Sequence, residues 1–223
     1  MTKPTIVISI LVLIVAGLGS FSYLLYKDRC YFETPVYQNL SDSSKVLVVY
    51  YSRTGHTETL ARAIARELDA DILKISDKKY SRDFRGWRNA ANDASDEVRS
   101  VDIEPATYDL TNYDLVILGS PIWLFRPAPP LWSFAESNDF TDKSVVLFNT
   151  FNSRFKQEKI EEFSELIADR GGTMIDHFYI RRGRILFQMN GKTLVARSKG
   201  VAQKIKAEIL NNPVLKTTAS SGD

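Results

Sequence analysis

Lys45-Val46-Leu47-Val48-Val49-Tyr50-Tyr51-Ser52-Arg53-Thr54-Gly55-His56-Thr57 is the stretch on which the fold turns. Its first seven residues make a short, nearly continuous apolar run, the mark of a parallel strand covered on both faces. The run stops at hydroxyl residues and one glycine. Beyond them Leu60, Ile64 and Leu68 recur every four residues, with Ala61 and Ala65 beside them. That spacing lays one apolar stripe along a helix. A buried strand therefore hands over to a helix through a polar turn.

The same unit repeats downstream. Asp71 to Ser76 reads as a second short strand. Asp77 to Tyr108 is polar and charged, with a helix expected around Asp83 to Val98. Asp114-Leu115-Val116-Ile117-Leu118-Gly119 is another buried strand and runs into Ser120-Pro121-Ile122-Trp123. Pro127, Pro129 and Pro130 open a short helix carrying Leu131, Trp132 and Phe134. Ser144 to Phe148 is a further strand, followed by a helix on which Ile160, Phe163 and Ile167 share a face, closed by Gly171-Gly172. Met174 to Met189 reads as the last strand region, with room for a hairpin, and Val195, Ala202, Ile205 and Ile209 line a final helix. Strands alternating with amphipathic helices predict an α/β fold, a doubly wound five-stranded parallel sheet with right-handed crossovers. In such sheets ligands bind outside the carboxyl ends of the strands, where the strand order switches.

One segment precedes this domain. Thr5 to Tyr26 carries no charge, and about 22 helical residues span roughly 33 Å, enough for a ~30 Å hydrocarbon layer. A cleaved signal peptide is the alternative, but Phe21, Tyr23, Leu24, Leu25 and Tyr26 carry the apolar character past the Gly17-Leu18-Gly19 site such a peptide would need. The expected division is a transmembrane anchor over 1–30, a linker over 31–44, the α/β domain over 45–211 and a tail over 212–223. Lys27 and Arg29 against Lys3 place the main domain on the cytoplasmic side.

Composition excludes several classes. Cys30 is the lone cysteine and His56 and His177 are the two histidines, so neither an intrachain disulfide nor a Cys/His metal site is expected. The net charge is +2. From His177 onward, however, Arg181, Arg182, Arg184, Lys192, Arg197, Lys199, Lys204, Lys206 and Lys216 face only Glu208 and Asp223. With no nucleic-acid motif present, this reads as a solvated basic surface or a rest for anionic lipid, and no nucleic acid is expected as partner.

The turn Ser52-x-Thr54-Gly55-x-Thr57 can bring three hydroxyls and several backbone N–H groups onto one anion at a helix N-terminus. Gly55 lets the backbone wrap closely. The turn has neither the lysine and second glycine of a nucleoside-triphosphate loop nor a dinucleotide G-x-G-x-x-G. The plainer alternative is that Ser52 and Thr54 only cap the helix.

These residues resemble the flavodoxin family. Val48 to Thr57 is similar to its FMN phosphate motif, an aromatic strand end followed by [ST]-x-T-G-x-T, and Tyr113 to Trp123 is similar to its second strand and ring-binding loop. Ala128-Pro129-Pro130 and Phe134 resemble the FMN-reductase-like branch. The resemblance implies FMN as cofactor, its phosphate held by Ser52, Arg53, Thr54, Gly55, His56 and Thr57. It implies Ser120, Pro121, Ile122 and Trp123 along one side of the isoalloxazine and Asn149, Thr150, Phe151 and Asn152 towards the other. Trp123 either stacks on the ring or is a core aromatic, and the third segment lacks the family's usual Gly/Ser-rich loop. Arg126 either places a positive charge near the ring or is solvated. The expected activity is electron transfer through FMN at a membrane surface, to a quinone, porphyrinogen or similar partner or as a carrier for a redox protein, with NAD(P)H as a candidate donor. A flavin-free interaction domain is the third alternative.

Overall fold

The computed structural model describes residues 3–29, 37, 44–184 and 188–211. The tail, Cys30, most of the linker and part of the region read as a hairpin lie outside them. The elements are α1 (Lys3–Arg29), β1 (Val46–Tyr51), α2 (His56–Leu68), β2 (Asp71–Ile75), α3 (Phe84–Ser95), β3 (Leu115–Trp123), β4 (Arg126–Pro127), α4 (Pro129–Ser137), β5 (Ser144–Phe151), α5 (Gln157–Asp169), β6 (Thr173–Arg181) and α6 (Gly191–Asn211).

Five strands run parallel in the order β2-β1-β3-β5-β6, while the two-residue β4 pairs antiparallel with the end of β3. The chain thus moves outward from β1 to β2, returns past β1 to β3, and continues the other way. That reversal leaves a crevice between the carboxyl ends of β1 and β3. The alternation of side chains along each strand builds two cores. Leu47, Val49, Val116, Leu118, Val145 and Leu147 point to one face, against Ala90 of α3, Leu131 and Trp132 of α4, and Phe163 of α5. Val48, Tyr50, Ile117, Val146 and Phe148 point to the other, against Leu60 and Ile64 of α2 and Ala202 and Ile205 of α6. Both faces are covered, which is why the strands read as unbroken apolar runs.

Three local expectations change. Ser120 to Trp123 and Asn149 to Phe151 belong to strands β3 and β5 rather than to loops. Val195 is 47% exposed, and Leu194 takes the buried position one residue earlier. Arg126, expected near the ring or in solvent, is buried at 1% exposure, with its guanidinium over the Trp132 ring at 4.8 Å. The hairpin turn Leu124-Phe125 swings it beneath α4. Burial lowers its affinity for its proton, opposed by Glu97.

Within α1, Pro4–Tyr23 is apolar and wholly unburied, with mean hydropathy 2.4, long enough to cross a membrane. Its Phe21 ring packs edge-on against Phe84 at 5.5 Å and Trp87 at 6.1 Å, both on α3. Tyr37, from the linker, packs with the α2–α6 core, and the Arg66 guanidinium sits 5.9 Å from its ring.

Candidate functional site

A cleft of about 410 Å³ opens at the carboxyl ends of β1, β3 and β5, within the range of small-ligand sites. Its floor is the turn between β1 and α2. Gly55 adopts φ 89°, the left-handed conformation glycine takes without strain, and so starts α2 immediately after the strand. No side chain caps α2. Ser52 Oγ instead accepts the Gly55 N–H at 3.1 Å, Thr54 Oγ1 lies 2.9 Å from His56 Nδ1, and Thr57 Oγ1 lies 2.8 Å from Thr150 Oγ1. The first-turn N–H groups of α2 lie beyond the reach of the helix's own carbonyls, and His56 and Thr57 of that turn line the cleft. The capping alternative thus loses its support, and the hydroxyls border the cleft.

The electrostatics suit an anion. Arg53, Arg154 and Arg182 line the cleft, and no carboxylate does among the described residues. Arg53 Nε donates to Tyr80 O at 3.2 Å and one Nη to Ser81 O at 2.9 Å, fastening the turn to the segment before α3. Arg182 donates to Asn152 Oδ1 at 2.7 Å. Burial, reinforced by Arg182, lowers His56 to about 3. Its ring is neutral at pH 7, with Nδ1 facing Thr54.

The walls mix apolar side chains with a hydroxyl and an amide. Pro121, Ile122 and Trp123 form one side and Thr150, Phe151 and Asn152 the other. The Trp123 ring packs edge-on against Tyr51 at 5.7 Å and Tyr80 at 5.0 Å, while the residue remains half-buried at the cleft. Burial, then the Asp77 carboxylate, raises the Tyr51 phenol's pKa, so both tyrosines are fixed neutral posts behind Trp123. Two residues face inward instead. Ser120 is fully buried, and its Oγ accepts the Ala128 N–H. Asn149 is equally buried; it donates to Ser120 O at 2.9 Å, and its Oδ1 lies 2.9 Å from His177 Nε2. They brace β3, β5 and β6 under the cleft, because strand alternation turns them to the sheet interior.

A flavodoxin family model matches residues 45–179 of the chain. The chain belongs to the flavodoxin family. Among its relatives, the flavodoxin of Haemophilus influenzae is 26% identical over 131 residues, covering 57% of this chain and 58% of its own. Flavodoxin 1 of Salmonella typhimurium is 24% identical over 139 residues, covering 59% and 65%. The chain thus spans less than two thirds of the length of the curated relatives it matches. A flavoprotein from Bacteroides uniformis superposes with TM-score 0.57 at 23% identity, covering 71% of this chain and 99% of that one. A flavoprotein in complex with FMN from Lactobacillus acidophilus gives 0.50 at 24%, covering 60% and 92%. At these identities the two structures establish the fold.

Several residues at the cleft escape a reading of the sequence. Trp87, Ala90 and Ala91 of α3 close one side. They fall in the polar stretch, and the close seat of α3 depends on Gly86, where a Cβ would meet Ser81 O at 1.9 Å. Leu124 and Phe125 form the β3–β4 turn at φ 41° and 77°, a two-residue hairpin of the kind that usually carries Asn or Gly. Ser153, Arg154 and Arg182 complete the lining. Phe151 also walls a second cleft, bordered by Arg154, Arg181, Arg197 and Lys204, where part of the basic carboxyl-terminal stretch gathers.

Proposed function

We propose that this chain is an FMN-dependent electron-transfer domain held at a membrane by α1, passing electrons to a quinone-like, porphyrinogen or similar membrane-associated partner. The β1–α2 turn carries this reading. Its hydroxyls and helix amides, flanked by arginines in a cleft that no carboxylate lines among the described residues, are the donor set a terminal phosphoryl group requires. Above them Trp123 and Phe151 offer aromatic walls to a flat ring.

When bound, the flavin supplies the redox chemistry, and the protein supplies position and electrostatics. Ser52, Thr54 and Thr57 with the α2 amides hold the phosphoryl end. Pro121 to Trp123 and Thr150 to Asn152 set the ring between two strand ends and exclude water from its faces. No side-chain nucleophile or acid–base pair is required.

The membrane-associated partner is motivated by the unburied apolar stretch Pro4–Tyr23, since tethering raises the local concentration of a lipid-soluble reactant. The flavodoxin relatives favour a second reading, a carrier that serves a membrane redox complex. One preparation separates the two. Purified full chain is expected to be yellow or to become so on titration with FMN. Rapid NADPH-driven turnover of menadione supports the enzyme; FMN binding without turnover by any donor and quinone supports the carrier. A colourless chain that ignores added FMN overturns both.

A further inference from the structure

We propose that the segment from Lys78 to Arg88 is a second membrane contact, seated in the anionic headgroup layer so that the mouth of the cleft opens at the bilayer surface. This rests on the reading of α1 as a membrane anchor and adds an orientation to it.

Three independent observations converge on the segment. The first is position. Phe21 lies about 3 Å along the helix from the end of the apolar stretch Pro4–Tyr23, and its ring touches both Phe84 and Trp87. Residues in contact with the last turn of a membrane span sit at interfacial depth. The second is chemistry. Phe84 and Trp87 are 52% and 45% exposed, although their rings stack on each other at 6.0 Å. Tryptophan, with an apolar body and a polar N–H, is placed where one end is apolar and the other wet, and Phe84 extends its apolar surface. The third is charge. Lys78, Lys79, Arg82, Arg85 and Arg88 are all exposed in this one segment. The opposing carboxylates nearby are Asp77, which accepts from the Tyr51 hydroxyl and the Tyr80 N–H, Asp83, which accepts the Gly86 N–H to cap α3, and Asp93, which pairs with Lys79 at 2.6 Å. A basic, aromatic surface beside a membrane span is matched by anionic lipid.

The consequence concerns access. Trp87 belongs to the cleft wall as well as to this surface. With the segment in the headgroups, a lipid-soluble reactant reaches the cleft without crossing bulk water.

The test uses the full chain reconstituted into vesicles of equal parts phosphatidylglycerol and phosphatidylcholine, with bromine on the acyl chains as a contact quencher of tryptophan emission. Trp132 is fully buried and Trp123 is half-buried in the cleft, so the quenched fluorophore is expected to be Trp87. Trp87→Phe is expected to lose most of the quenching. Arg85→Glu with Arg88→Glu keeps Trp87 and is expected to reduce quenching to the level seen in phosphatidylcholine alone. A chain that pellets with the vesicles but is quenched equally with and without Trp87, or equally before and after the charge reversal, overturns this inference and leaves the anchor standing. A chain that stays in the supernatant overturns both.

Discussion

Thr57 Oγ1 lies 2.8 Å from Thr150 Oγ1, both residues buried, so one hydroxyl pair joins the first turn of α2 to the carboxyl end of β5. The β1–α2 turn and the far wall of the cleft are therefore mechanically coupled. Thr150→Val keeps the shape but leaves the Thr57 hydroxyl without this partner. Leaving a buried hydroxyl unpaired costs about 1–3 kcal/mol. Urea unfolding is expected to show a loss of that size, and an unchanged midpoint would refute the coupling.

The turn at Leu124-Phe125 stores strain. Leu124 has φ 41° and is half exposed, so its side chain has little packing to offset a left-handed backbone. Left-handed conformations cost a branched residue about 1–2 kcal/mol, and asparagine adopts them more readily. Leu124→Asn is expected to raise the melting temperature, a gain of about 0.5–1 kcal/mol. A lower melting temperature would mean that Leu124 is held by contacts stronger than the strain.

Gly119 answers to packing. A Cβ there would fall 1.9 Å from the Phe148 ring, which is itself fully buried. Over-packing of this kind costs about 1–3 kcal/mol. Gly119→Ala is expected to destabilise the chain by that amount in thermal unfolding, whereas Gly119→Ala with Phe148→Leu is expected to recover part of the loss.

The histidines set a pH dependence. Burial lowers His177 to about 4, against the opposing pull of Asp176, and burial with Arg182 lowers His56 to about 3. The unfolded chain takes up protons on both below about pH 6.5, while the folded chain resists until about 4 and 3. Stability is therefore full above pH 6.5 and falls as the pH drops through these values. His177→Gln retains a donor for Asn149 Oδ1 and removes one of the two protons. Its urea midpoint is expected to fall less between pH 7 and pH 5 than that of the parent; an equal fall would place the effect elsewhere.

How much of this was legible in advance follows from the kind of signal each element carries. The five strands, the crossovers and the long apolar helix α1 announce themselves through apolar period and length, because burial on both faces leaves long runs such as Val46 to Tyr51. The β1–α2 turn is legible because hydroxyls and a glycine sit where a strand becomes a helix. Strand ends are harder. Ser120 and Asn149 look like loop residues until pairing extends β3 and β5 over them and turns their side chains inward. Arg126 misleads for a similar reason: the preceding turn has neither Gly nor Asn, so nothing local marks the reversal that buries a guanidinium on Trp132. Trp87, Ala90 and Ala91 reach the cleft through tertiary seating of α3, which no spacing encodes.

The central claim is that the β1–α2 turn grips a terminal phosphoryl group, and comparison of FMN with riboflavin tests it most directly. Both present the same ring, and riboflavin lacks the phosphate. Fluorescence titration of the full chain is expected to give FMN an affinity at least about 100-fold tighter, since charge-assisted hydrogen bonds contribute about 1.5–3 kcal/mol each. Thr54→Ala with Thr57→Ala is expected to shrink that ratio at least tenfold, mainly by weakening FMN. Equal affinities for FMN and riboflavin, or a ratio untouched by the double substitution, would contradict the account.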